Sequence, residues 1–237
     1  DGYARGEACG AVALRCEEAE AADGGQQRGM VASASASSSS SSSSSLLGSA
    51  VRQDGRSASL TAPSGQAQQM LLVAALQDAG ASVDALVQVE AHGTGTLLGD
   101  PIEAGSLVGA VLAHREETLV VGGVKANVGH AEPAAGITGL LNLTNVLRAR
   151  EAAPNAQLRV LNTHVGSSLH GVVCTLPVQL TPIPGHQGGV GGVSSFGYSG
   201  TIAHQLLTVG RAGGSGEDEH GSKVRGTIGS SDVRPLP

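Results

Sequence analysis

The order of apolar and polar residues predicts one amphipathic helix in the first half of the chain. Between Ser64 and Gly80, apolar side chains recur at the spacing that places them on one face of an α-helix: Met70, Leu71, Ala74, Ala75 and Leu76. Serine favours the N-cap of a helix, and glycine favours the position just after its end. We therefore predict a helix that begins after Ser64 and ends at Gly80.

Several short apolar or glycine-rich runs have the length and composition of β-strands. They span residues 11–14, 46–51, 86–91, 119–124, 172–176, 189–193 and 204–209. Strand runs that alternate with helical segments are typical of an α/β fold. In such folds the residues that directly follow the strands lie at the edge of the sheet where ligands bind.

Two further helices are predicted from the residues at their starts. The first has a capping acid, a proline at the first helical position and an acid in the first turn: Asp100, Pro101 and Glu103. The second begins at Pro133 and continues to about Arg150. It carries almost no charge and contains Gly136 and Gly139, which indicates burial and close backbone packing.

Some segments have a composition that cannot form a packed core. Residues 33–45 are almost entirely serine, which predicts a flexible insertion, and residues 17–23 read as a brief acidic helix or turn. From Gly210 the chain is rich in Gly, Ser and charge, so we predict a disordered tail.

Composition narrows the class of protein. With 237 residues and 40% hydrophobic content the chain is long enough for one large or two small soluble domains. Its 1% aromatic content argues against base-stacking nucleic-acid sites. A net charge of −6 argues against binding to nucleic acid or to an anionic membrane surface. Three cysteines without a CxxC pair favour a reducing compartment, cytoplasm or plastid, over secretion.

Two histidines lie just after predicted strands. His92 is followed by GTGT, in which the glycines allow a ligand to approach the backbone and Thr94 and Thr96 offer hydroxyls to an extended substrate. His130 follows a turn shaped by Asn127 and Gly129. A single histidine at a strand end is more often structural than functional, but both carry loop sequences suited to ligands. A zinc site is a weak alternative, because no third ligand has metal spacing.

Lys125 and Glu132 flank the second histidine. One interpretation is a solvated surface pair, which would contribute little. A lysine at the end of a buried strand nevertheless needs an anion, so the alternative is an electrostatic network around His130.

Three segments, taken in order, resemble the β-ketoacyl synthases, most closely the ketosynthase domains of modular polyketide synthases. They read VEAHGTGTLLGDPIE, VKANVGHAEPAAGITG and GVSSFGYSGTIAHQLL. The resemblance implies a thiolase-like α/β fold, with layers in the order αβαβα, of which this chain supplies mainly the C-terminal half. It divides the chain into a trailing strand of the N-terminal half (1–23), the serine-rich insertion (24–45), the C-terminal half (46–209) and the tail (210–237).

By the same resemblance, the chain is part of an acyltransferase that performs the decarboxylative Claisen condensation of acyl and malonyl thioesters in polyketide or fatty acid biosynthesis. The implied catalytic residues are His92, His130 and Lys125, with Glu132 as the partner of Lys125 and Asn127 in support. The implied substrate-binding residues are Thr94, Thr96, Phe196 and Tyr198. Two neutral imidazoles whose N–H donors converge would stabilise the enolate left by loss of carbon dioxide. No metal and no bound cofactor are expected.

The implied partners are acyl-carrier protein, whose phosphopantetheine arm carries the substrate, the N-terminal half and a second copy in a homodimer. The family nucleophile is a cysteine in a TACSS-like segment that would precede Asp1. Cys9, Cys16 and Cys174 have no such context, so we expect the isolated chain to be inactive in condensation. Two alternatives stay open: a non-catalytic remnant or scaffold for dimer or carrier-protein contacts, and decarboxylation without condensation.

The third segment departs from the family pattern at Ser199 and Ile202. Ile202 stands where the family has the asparagine of GTNAH, so we expect loss of loop-bracing hydrogen bonds and a weaker loop. The loop contains Tyr198, whose matched position gates the family's pocket and contributes a backbone N–H to the oxyanion hole.

Overall fold

A computed structural model describes residues 4–13, 16–17, 31–32, 44–55, 62–156, 158–184 and 188–210. The predicted turn in residues 18–23, most of the serine tract (33–43) and the tail from residue 211 lie outside the described residues.

The chain alternates strands and helices. The strands are β1 (Cys16–Glu17), β2 (Val31–Ala32), β3 (Ser44–Gln53), β4 (Leu86–Glu90), β5 (Leu119–Gly122), β6 (Glu151–Ala152), β7 (Cys174–Thr175), β8 (Thr181–Pro182), β9 (Val190–Phe196) and β10 (Thr201–Val209). The helices are α1 (Gly65–Ala79), α2 (Gly99–Ala110), α3 (Lys125–Val128), α4 (Ala135–Ala149) and α5 (Thr163–Ser168). No helix in this described part of the chain is long and apolar enough to cross a bilayer.

Six strands form the central mixed sheet, in the order β3-β10-β9-β4-β5-β7. The β3–β10 and β10–β9 pairs are antiparallel, whereas the β9–β4, β4–β5 and β5–β7 pairs are parallel. Since β4 and β5 are adjacent and parallel, the loops that follow them emerge at the same edge. These loops carry the two candidate histidines.

Helices cover the sheet on both faces. On one face, α1 and α2 pack on the strands through the buried side chains Leu72, Leu76, Leu86, Leu107 and Leu206. On the other, α4 packs through Leu143, Val146 and Leu147 against Val87, Val120 and Val193. Burying these aliphatic side chains stabilises the fold by roughly 1.5–3 kcal/mol each.

The predicted boundaries of α1 are confirmed. The Ser64 hydroxyl accepts a hydrogen bond from Ala67 N at 3.3 Å, and Gly80 adopts the left-handed conformation with φ 59°. The predicted glycine packing of α4 is also observed. A Cβ at Gly136 would lie 3.0 Å from Ser195 Oγ, and one at Gly139 would lie 3.1 Å from Val193 Cγ2.

Three predicted boundaries need correction. Residues 11–13 belong to no strand. Ser44 and Ser45, which fall within the predicted flexible insertion, belong to β3. Ser44 is buried and pairs with Val209 of β10. A serine can occupy this strand position because pairing with β10 satisfies the hydrogen bonds of the backbone, whatever the side chain. At Pro133 there is a 3₁₀ turn, and the α-helix begins only at Ala135.

The start of α2 also differs from the prediction. The helix begins at Gly99, and Thr96 Oγ1 accepts from Gly99 N at 3.1 Å. Asp100 lies inside the first turn, so its carboxylate does not cap the helix but accepts from Gly95 N at 3.1 Å. Asp100 therefore braces the loop that follows His92.

Ile202 lies in β10, directly after the turn that contains Tyr198. Its side chain is 0% exposed and packs in a small apolar cluster with Ala67 and Leu71, beside Ala50 and Phe196. An apolar side chain suits this site because its neighbours on α1 and the sheet are apolar. This packing favours an apolar residue at position 202, and the predicted weakening of the loop stays a prediction.

Candidate active site

His92 and His130 meet at the carboxyl edge of the sheet. Their ring centroids are 5.6 Å apart and their planes are 88° from parallel. His92 follows β4 by two residues, whereas His130 is held by the segment near the start of the chain: His130 N donates to Ala4 O at 2.7 Å, and Gly6 N donates to His130 O at 3.0 Å. The sequence prediction that these two histidines share a site therefore agrees with the geometry.

The hydrogen bonds of His92 fix its tautomer. Phe196 N donates to His92 Nδ1 at 3.3 Å, so Nδ1 is an acceptor and the ring proton lies on Nε2. Burial, followed by the nearby positive charge of Lys125 and by His130, lowers the pKa of His92 to about 3. The imidazole is therefore neutral at physiological pH.

His130 has the same arrangement. Glu132 N donates to His130 Nδ1 at 3.1 Å, which again places the ring proton on Nε2. Burial and then the charge of Lys125 lower the pKa of His130, and Glu132 acts in the opposite direction. The site thus contains two neighbouring neutral imidazoles. In each ring Nδ1 accepts a backbone N–H and Nε2 carries the proton.

Lys125 lies at the start of α3, and the acids that act on its charge do not include the predicted partner, Glu132. Burial lowers the pKa of the ammonium group, and Glu103, Glu90 and Asp100 raise it, in that order of strength. Glu132 instead forms an ion pair with Arg5, with Arg5 Nε 3.2 Å from Glu132 Oε1. The prediction that Lys125 takes its charge partner from Glu132 is therefore corrected: the partners come from β4 and α2.

Glu103 holds the loop of His92 and is a site residue that sequence reasoning missed. Its two carboxylate oxygens accept from His92 N at 2.7 Å and from Gly93 N at 2.8 Å. Burial raises the pKa of Glu103 to about 7, against the lowering effect of these two hydrogen bonds. Glu103 is visible in the sequence three residues after Asp100, but an acid in the first turn of a helix is explained equally well by helix capping.

The threonines and Asn127 hold local structure around the histidines. Thr94 lines the cavity described below, and its hydroxyl lies 3.2 Å from that of Thr96, which accepts a hydrogen bond from Gly99 N at the start of α2. Asn127 joins α3 to the loop after β6: its Nδ2 donates to Pro154 O at 3.1 Å and its Oδ1 accepts from Ala156 N at 3.2 Å. Asn127 therefore fixes the short helix between Lys125 and His130.

The two aromatic residues of the third segment have different positions. The Phe196 ring lies 5.2 Å from the His92 ring, and Phe196 lines the cavity. Tyr198 is 86% exposed and lies in the turn between β9 and β10. The structure thus places Phe196 beside the histidines and leaves the Tyr198 side chain in solvent.

A cavity of about 450 Å³ opens beside the histidines, between the carboxyl edge of the sheet and the helices α1, α2 and α5. Its polar wall includes Thr94, Asp100, Glu103, Lys125 and His130. Most of the remaining wall is apolar: Leu72, Val89, Leu107, Val165, Leu169 and Phe196. A cavity with mainly apolar walls and a few converging polar groups has the character of a small-molecule site.

Cys9 and Cys174 do not line this cavity. Cys9 is exposed, and Cys174 lies in β7, where burial raises the pKa of its thiol. Cys16 lies in β1. A raised thiol pKa disfavours the thiolate that a nucleophile needs. Among the described residues, no group of three His, Cys, Asp or Glu side chains has a metal-binding arrangement.

The raised pKa of Glu103 predicts a specific pH dependence of stability. The folded state keeps the proton of Glu103 up to about pH 7 and the unfolded state loses it near pH 4.5, so this contribution is complete below pH 4.5 and is lost as pH rises through 7. In urea unfolding between pH 5 and pH 8, we expect the stability of wild type relative to Glu103→Gln to fall by up to about 1.4 kcal/mol per pH unit.

The same series of measurements contains its own control. The depressed pKa of His92 acts in the opposite direction, because the unfolded histidine binds a proton below its ordinary pKa and stability falls toward about pH 3. That contribution is common to wild type and Glu103→Gln and cancels in their difference. A difference that stays constant across the pH range would contradict the assignment.

Sequence comparison with known proteins identifies the family of the chain. Residues 43–159 match the family described as beta-ketoacyl synthase, C-terminal domain. The chain is 38% identical over 215 residues to a phenolphthiocerol/phthiocerol polyketide synthase of Mycobacterium tuberculosis, covering 89% of this chain and 10% of that protein. It is 44% identical over 162 residues to a spectinabilin polyketide synthase protein of Streptomyces orinoci, covering 68% and 4%.

Solved structures give the same result. An oxazolomycin ketosynthase domain from Streptomyces albus superposes with a TM-score of 0.68 at 30% identity, over 75% of this chain and 32% of that one. Ketosynthase twelve of the bacillaene polyketide synthase from Bacillus amyloliquefaciens gives a TM-score of 0.64 at 30% identity, over 69% and 30%. The chain thus spans about a third of these structures.

The fold is therefore thiolase-like. The chain belongs to the β-ketoacyl synthase family, and it carries a C-terminal ketosynthase domain of the modular polyketide synthase type.

Proposed function

We propose that this chain supplies the decarboxylating half of a ketosynthase active site in polyketide biosynthesis. The observation that carries the proposal is the pair of neutral imidazoles whose Nδ1 atoms both accept backbone N–H bonds. This places an Nε2–H donor on each of two rings that are 5.6 Å apart. Donors held in advance where negative charge develops stabilise the transition state more than the ground state.

In the proposed reaction the malonyl thioester loses carbon dioxide, and the electron pair of the broken carbon–carbon bond passes to the thioester carbonyl as an enolate. The Nε2–H groups of His92 and His130 donate to the enolate oxygen. Neutral rings are suited to this role because Nδ1 can accept the backbone N–H that holds the ring while Nε2–H donates. The enolate then attacks an acyl thioester on a cysteine of the N-terminal half and displaces its thiolate.

The proposed substrate carrier is the phosphopantetheine arm of acyl-carrier protein. The cavity beside the histidines suits a thin, partly polar arm, because Thr94 lies on its wall and the glycines of the loop leave the backbone accessible. The relatives are polyketide synthases, which supports polyketide rather than fatty acid biosynthesis. Homodimerisation belongs to the same proposal.

The test is release of labelled carbon dioxide from malonyl-carrier thioester by the chain completed with the N-terminal half of a related ketosynthase. We expect release well above that of the N-terminal half alone. Equal release by the completed protein and by the N-terminal half alone would contradict the proposal.

A second prediction concerns the isolated chain, which we expect to remain unacylated. The raised pKa of the Cys174 thiol disfavours a thiolate, and none of the three cysteines lies in a TACSS-like segment such as carries the family nucleophile. Incubation with a radiolabelled acyl thioester should leave no covalent label on Cys9, Cys16 or Cys174, as measured by peptide mapping. Stoichiometric label on any of these cysteines would overturn the prediction.

A further inference from the structure

We propose that Glu90 is a positioning residue that sets the separation of His92 and His130, a role whose catalytic meaning rests on the proposed function. Glu90 is the last residue of β4 and lies two positions before His92. Its side chain leaves β4 on the face covered by α4 and bonds to the part of the chain that leads to His130. The two histidine loops are thereby joined through one carboxylate.

The carboxylate oxygens of Glu90 have separate partners. Oε1 accepts from Val124 N at 2.6 Å, and Oε2 accepts from Asn142 Nδ2 at 2.9 Å. Val124 is the residue directly before α3, and α3 leads through Gly129 to His130. Asn142 lies in the middle of α4, which follows His130. One side chain on β4 therefore fixes the chain both before and after His130.

The surroundings leave Glu90 little freedom to move. Its side chain is 1% exposed. A Cβ on Gly122 would lie 3.1 Å from Glu90 Oε2, and one on Gly139 would lie 3.4 Å from Glu90 Cγ. Two glycines thus form the space that the carboxylate occupies, one on the neighbouring strand and one on α4. A side chain confined in this way transmits a shift of β4 to α3 and α4.

The pattern of donors explains why an acid stands here. Both partners offer N–H groups at the contact, so the side chain must accept at both oxygens, as a carboxylate does. Burial raises the pKa of Glu90, while the bonds from Val124 and Asn142 and the charge of Lys125 lower it. Glutamine in its place has one acceptor and one donor, so with the Asn142 amide in its present orientation one of the two N–H groups would face another donor.

This donor pattern gives a matched set of variants. Glu90→Gln removes one acceptor, and Asn142→Asp supplies a new one opposite the glutamine amide, so the double variant restores two complementary bonds and keeps one negative charge near Lys125. Thr144→Val is the control, because it removes a hydrogen bond of α4, from Thr144 Oγ1 to Leu140 O, without touching Glu90. Urea unfolding of each variant confirms that it folds.

The main readout is nuclear Overhauser contact between histidine rings in the full 237-residue chain. We expect Glu90→Gln to lose the contact between His92 and His130 while it keeps the contact between His92 and Phe196, which lies on the other side of β4. The double variant should regain the lost contact, and Thr144→Val should keep both. In protein completed with an N-terminal half, Glu90→Gln should lower kcat for malonyl decarboxylation by about 10-fold or more with little change in KM.

The outcomes separate the two proposals. A folded Glu90→Gln chain with both ring contacts unchanged overturns the positioning role, as does a folded double variant that fails to regain the contact. If Glu90→Gln does not fold, the double variant decides: a folded double variant with the His92–His130 ring contact supports the positioning role, and one without it overturns the role. Ring contacts that respond as expected, combined with decarboxylation that is insensitive to His92→Ala and His130→Ala, uphold the role of Glu90 and overturn the proposed function.

Discussion

Alanine at His92 or at His130 is expected to lower the rate of malonyl decarboxylation by about 10²-fold, in protein completed with an N-terminal half. Each change removes one of two Nε2–H donors to the enolate oxygen, and the loss of one such donor costs about 3 kcal/mol of transition-state stabilisation. The effect should appear in kcat, because the charge develops only in the transition state. Release of labelled carbon dioxide at saturating substrate measures it.

Two comparisons make this result specific. His114→Ala removes a histidine in the 3₁₀ turn after α2, whose Nε2 contacts Gly109 O, so its rate should equal that of wild type. The double variant should lose less than the sum of the two single losses, because both donors bind one oxygen. Single variants with rates close to wild type would remove the enolate role from both histidines.

Asparagine at Ile202 is expected to destabilise the chain by about 3 kcal/mol or more, because it removes a buried aliphatic side chain and leaves an amide among apolar neighbours. Ile202 is fully buried against Leu71 and beside Phe196. The family pattern of the GTNAH segment predicts the opposite, since asparagine is the usual residue there. Urea unfolding of the 237-residue chain distinguishes the two expectations.

Ile202→Val is the matched control for this change, because it removes one methylene and keeps the site apolar. It should cost about 0.5–1.5 kcal/mol. The asparagine variant should also disturb His92, because Ile202 pairs with Phe196 in the ladder of β9 and β10 and Phe196 N bonds His92 Nδ1. An asparagine variant as stable as wild type would show that the site offers hydrogen-bond partners after all.

Glu90 and Glu103 mark the limit of what could be predicted at the site. Both lie in the segment VEAHGTGTLLGDPIE, but their hydrogen-bond partners do not follow from it. Glu90 accepts from Val124 and Asn142, and Glu103 accepts from the backbone of His92. For Glu103, sequence rules explain an acid in the first turn of a helix by capping just as well as by a role in the site. Only the packing of α2 and α4 on the sheet decides which N–H groups these acids meet. The partner of Lys125 was misassigned to Glu132 for the same reason.

The sequence by itself determined the alternation of strands and helices, the caps of α1 and the placement of His92 and Lys125 directly after strand runs. These features depend on the spacing of apolar residues and on local backbone preferences, which act over a few residues. The tertiary structure alone decided the environment of the site: the tautomers of both histidines, the acids around Lys125 and the burial of Ile202. These depend on contacts between residues distant in the chain, such as Phe196 with His92, which no local pattern encodes.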